Sequence, residues 1–67
     1  MSEKALLLVK EEIIRTVQEN YSEVSYDEAS KIAEDLIEKI DWDDSALMHK
    51  GISWITKSYL NSLKTNA

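Results

Sequence analysis

Apolar residues recur at helical spacing in three separate stretches of this chain. In the first, Leu6, Leu7, Val9, Ile13, Ile14, Val17 and Tyr21 fall within an arc of about 160°. Glu11, Glu12, Arg15, Gln18 and Glu19 lie opposite. Lys10 falls inside the apolar arc, where its methylenes can lie on the core edge while its charge stays wet. Leu8 falls on the polar face and is either a lone exposed leucine or a contact to something else. Ser2 can cap this helix, which is predicted over residues 3–20.

The second stretch carries the clearest start signal. Ser25 is an N-cap and Glu28, three residues on, completes a capping box. Val24 and Ala29 stand at staple positions around it. Tyr26, Ala29, Ile32, Ala33, Leu36, Ile37 and Ile40 share an arc of only about 140°, free of charge, so a helix is predicted over 26–40. The small side chains of Ala29 and Ala33 let it approach a neighbour closely.

The third stretch is the longest. Asp43 reads as its N-cap, with Asp44 in the first turn and Trp42 and Leu47 in staple positions. The helix is predicted over 44–64. Leu47, Met48, Ile52, Trp54, Ile55, Tyr59 and Leu63 spread over about 180°, wide enough to face two neighbours, or a neighbour and a partner chain. Trp54 stands at the edge of that arc and Leu60 outside it, which predicts exposure for Leu60. Gly51 lies near the middle of the arc and costs about 1 kcal/mol against alanine in a helix. A close helix crossing there is the favoured explanation; a bend or break is the other.

Three amphipathic helices joined by short loops predict an all-α fold, a three-helix bundle in one domain over 1–67. The corner between the second and third helices is also short enough for a helix-turn-helix.

Composition narrows the function. Of 67 residues none is cysteine, so there is no disulfide or thiolate site, and a reducing, cytoplasmic setting is expected. The longest apolar run, residues 5–9, is too short for a membrane span. With Glu11 and Glu12 following it, it does not fit a signal peptide either. The net charge of −5 is unevenly placed: nine acids and two bases lie in residues 21–48, and three lysines with no acid in 49–67.

Candidate chemistry is thin. Asp41, Asp43 and Asp44 fail the calcium-loop template, with Ala46 where glycine is needed and Ile52 where glutamate is needed. Helix capping accounts for them. His49 is the single histidine, and without cysteine it cannot build a zinc site alone. Asp44, Ser45 and His49 sit in one short segment with no oxyanion turn or pocket implied. One glycine cannot form a phosphate-cradling loop. No catalytic, cofactor or metal residues are therefore expected, and the chain reads as not an enzyme, with no small-molecule substrate.

What remains is apolar surplus. Leu8, Trp42, Leu47, Trp54 and Leu60 are the candidate partner-binding residues. The expected function is that of a small acidic protein–protein interaction module docking through its third helix. It would be a homodimer or other self-assembly, or a small subunit, regulator or inhibitor of a larger partner. The alternative is a DNA-binding regulator with the third helix as reader. The acids at that helix's start would repel phosphates, so nucleic acid is disfavoured.

Overall fold

The computed structural model describes residues 2–65; the outermost positions of the predicted domain lie outside the described residues. The fold is all-helical, in four segments: α1 (Glu3–Asn20), α2 (Tyr26–Lys39), α3 (Ser45–Lys50) and α4 (Ile52–Thr65). The third predicted helix is thus two helices, which corrects the three-helix count.

The break is at Gly51, whose φ of 96° and ψ of 155° belong to a region essentially reserved for glycine. A Cβ placed there would meet nothing within 4 Å, so no helix crosses closely at this point and the favoured explanation of the glycine fails. Gly51 is needed for its backbone conformation. It ends α3 with its N–H on the Met48 carbonyl at 3.2 Å, and its own carbonyl accepts from Ile55 at 3.1 Å to start α4.

The caps follow local chemistry. Ser2 Oγ accepts from the Ala5 N–H at 3.1 Å and Ser25 Oγ from the Glu28 N–H at 3.2 Å, while the Glu28 carboxylate accepts from the Ser25 N–H in return. The cap of α3 is Asp44, whose Oδ1 accepts from the Leu47 N–H at 3.1 Å, and not Asp43. The Asp43 N–H instead bonds to Asp41 Oδ1 at 3.1 Å, a turn that delays the helix by one residue. Trp42 and Leu47 therefore sit one register out of the staple positions. Trp42 is half-buried against the core, and its indole N–H donates to the Ile37 carbonyl at 3.3 Å. That carbonyl lies in the last turn of α2, where no backbone donor remains to satisfy it.

The central element is α1. It packs against both α2 and α4, and α3 touches α4. Ile13 and Val17 are fully buried at its middle. The start of α1 faces the end of α2 (Leu6 and Leu7 with Ile37), so these two helices are antiparallel. Tyr26 and Glu34, two turns apart on α2, bond to the adjacent α1 residues Glu11 (3.1 Å) and Lys10 (3.4 Å). Between them Ala29 and Ala33 are wholly buried, and their small side chains let α2 come close to α1.

The buried face of α4 is Ile55, Thr56 and Leu60, with Ile52 and Tyr59 half-buried: positions i, i+3, i+4, i+7 and i+8 of one helix. Leu60, expected outside the arc and exposed, is buried with 8% of its surface left. Leu7 and Leu63, expected in apolar arcs, are 58% and 46% exposed. Two buried threonines complete the core without orphan hydroxyls. Thr16 donates to the Glu12 carbonyl (2.9 Å) and Thr56 to that of Ile52 (2.8 Å).

Candidate docking surface on the third and fourth helices

A single glycine at positive φ separates α3 from α4 and breaks the helical path between them, so the two do not form one continuous rod. Leu47 on α3 and Trp54 on α4 both line a groove of about 280 Å³ there. Leu36 of α2 and Ile40 just after it contribute to its lining, with Ile55 and Tyr59 of α4. Trp54 is 47% exposed. Lys50 reaches across the glycine to place its Nζ 4.8 Å from the centre of the Trp54 ring, a cation–π contact that links the two helices through their side chains.

Lys39, Tyr59 and Asp35 form a polar clasp on the same seam. Lys39 Nζ lies 2.8 Å from Asp35 Oδ2 and 3.3 Å from the Tyr59 hydroxyl, and that hydroxyl donates to Asp35. The Lys39 ammonium, then the Tyr59 hydroxyl, hold the Asp35 carboxyl below its ordinary range. Asp35, then Tyr59, raise Lys39. A second groove, about 320 Å³ and almost wholly apolar, opens where the end of α1 and the first loop meet α2 and the end of α4. Leu60 and Leu63 contribute to its lining.

Of the five candidate residues, the structure brings Leu47 and Trp54 together. Trp42 is engaged with α2, Leu60 is buried, and Leu8 stands apart on α1 with 65% of its surface exposed. Leu7 and Leu63 were missed as surface residues, because both carry the sequence signal of a core position.

Of the acids ahead of α3, the Asp41 and Asp44 carboxylates accept a turn bond and a cap bond. His49 is exposed in the last turn of α3, at the negative end of that short helix. Among the described residues no three of His, Cys, Asp and Glu lie close enough to share a metal ion, and no helix is long and apolar enough to cross a membrane. Compared with protein-family models, curated proteins and solved structures, the chain matches none.

Proposed function

We propose that the chain is a non-enzymatic protein–protein docking module that binds through the α3–α4 corner. It acts as a self-associating subunit, or as a small subunit, regulator or inhibitor of a larger protein. The observation that carries this reading is Trp54. A tryptophan with 47% of its surface in water, beside an open groove that Leu47 and Tyr59 also line, has the character of an interface anchor. Size supports the reading as well, since a chain of 67 residues gains stability by burying surface against a second molecule. The absence of cysteine suits a reducing compartment, and the cytoplasm is proposed on that ground.

Sedimentation at micromolar concentration tests the self-associating form. The expected mass exceeds one chain and returns to one chain in Trp54→Ala, with the helical circular dichroism of the variant unchanged. A wild type that sediments as one chain removes self-association and leaves the form that binds a larger protein. That form fails if Trp54→Ala captures the same proteins from a host extract as the wild type does.

The DNA-binding alternative gains no support from the corner after α2. The helix that would enter a groove there is α3, of 6 residues, and Asp41, Asp43 and Asp44 are exposed ahead of it. A shift of duplex DNA at low salt that fades as salt rises would revive it.

A further inference from the structure

The most apolar run of the chain, residues 5–9, also lies in the part of α1 that the fold covers least. None of residues 3–10 is buried, and Leu7 and Leu8 are 58% and 65% exposed. The cause is topological. The helix α4 lies against the second half of α1, where Thr16 meets Ser53 (3.2 Å between hydroxyl oxygens) and where Asn20 and Tyr21 face Lys57 and Leu60. Only α2 accompanies the first half, with its end beside Leu6, Leu7 and Lys10. The result is an open groove of about 420 Å³ between these two helices. Leu6, Leu7 and Ile37 supply its apolar lining, and Glu3, Glu34, Glu38 and Lys10 its charged groups.

The charge at this groove is predominantly negative. Three carboxylates and one ammonium line it, a net of −2, and Lys10 is already paired with Glu34 at 3.4 Å. Glu3 and Glu38 are exposed and form no ion pair among the described residues. An apolar groove beside uncompensated carboxylates complements a helix with an apolar stripe and flanking lysines or arginines.

We propose that the groove between the start of α1 and the end of α2 is a second docking site, which takes a basic amphipathic helix from a partner protein. Leucine-like side chains at i, i+3, i+4 and i+7 of that helix would rest on Leu6, Leu7 and Ile37. Its cations would meet Glu3, Glu34 and Glu38. The site does not depend on the α3–α4 corner. A second copy of this chain is the poorer occupant. Its most basic helix, α4, has already turned its apolar face onto α1, and the exposed Trp54 and Leu63 stand nine residues apart. At about 100° per residue they point to opposite sides of α4, so no single face offers both.

The probe is a synthetic helix of leucine and lysine at amphipathic spacing, titrated against the intact chain. A scrambled peptide of the same composition and a leucine–glutamate helix serve as controls. The expected result is saturable one-to-one binding that weakens as salt rises. Leu7→Asp, and separately the pair Glu3→Lys with Glu38→Lys, should each weaken it about tenfold or more. All these positions are exposed, and a thermal melt of each variant establishes that the fold is kept. Trp54→Ala should leave binding unchanged, which separates this site from the corner. Equal binding of the scrambled or acidic peptide, no saturation, or indifference to Leu7→Asp would each overturn the proposal. So would self-association of the wild type that Leu7→Asp abolishes, because the occupant would then be a second copy.

Discussion

Asp35 on α2 accepts a hydrogen bond from the Tyr59 hydroxyl on α4, and Lys39 bonds to both. This clasp ties together two helices that each rest mainly on α1. Its side chains are substantially exposed, so its net energetic weight is small. Its pH signature is distinct. The folded carboxyl titrates below its ordinary value, so its contribution is present above the unfolded pKa of about 3.9 and is lost as pH falls through the depressed folded value. The stability gap between wild type and Asp35→Asn should be constant from neutral to mildly acid pH and close below the usual carboxylate range. Chemical denaturation at a series of pH values measures it, and a gap that persists into strong acid would remove the clasp as its cause.

Gly51→Ala should destabilise the chain by about 1–3 kcal/mol, because an L-residue is strained at its backbone angles. No clash contributes, since the space around the glycine is open. The sign is the informative quantity. In an unbroken helix the same substitution would stabilise by about 1 kcal/mol. A midpoint shifted upward in denaturant would mean that α3 and α4 are continuous in solution.

Ala33 is wholly buried where α2 crosses α1. Ala33→Leu should cost about 1–3 kcal/mol by overpacking. Leu8→Ala, at a residue 65% exposed, should stay within about 0.5 kcal/mol of wild type. Melting curves of the two variants compare crossing and surface directly, and a neutral Ala33→Leu would mean that the helices do not meet there.

The phenol of Tyr26 donates to Glu11 at 3.1 Å and is raised above its ordinary value, first by that hydrogen bond and then by the carboxylate charge. A raised folded pKa gives a contribution that is complete below the unfolded value of about 10 and is lost as pH climbs through the folded one. The tyrosinate absorbance that Tyr26→Phe removes should therefore develop at higher pH than that of a free phenol. Glu11→Gln should move it back down. No difference between wild type and Glu11→Gln would show that the bond is not formed in solution.

Local signals carried much of this fold into the sequence. The reach of α1, the capping box at Ser25 and Glu28, and the small-residue face of α2 depend on residues within a turn or two of each other. The misplaced features depend on what lies further away. Gly51 has two physical uses, close approach and positive φ, and only the surroundings decide between them. Taking the close approach carried one helical phase from Leu47 to Leu63, across a backbone that in fact resets there. Leu60 was consequently placed outside the arc when it belongs to the buried face of α4. Leu7 failed for another reason. A helical wheel identifies the apolar side of α1 but not how far along the helix a neighbour extends, and α4 lies against only the second half. For the docking surface, Trp54 at the edge of its arc was legible, while the clasp that unites Asp35, Lys39 and Tyr59 was not, because it joins residues of separate helices.

The central position of α1 has a consequence for how the chain is made. Synthesis proceeds from the N-terminus, so α1 leaves the ribosome before α2 and α4, which rest on it. Its partner α2 follows after a short turn, and the two can close as a local hairpin while α4 is still being translated. The contact of Thr16 with Ser53 spans 37 residues and must wait. Until then the side of α1 that α4 will cover stays bare, next to the leucines that the finished fold never covers. The nascent hairpin therefore exposes more of α1 than the mature protein does.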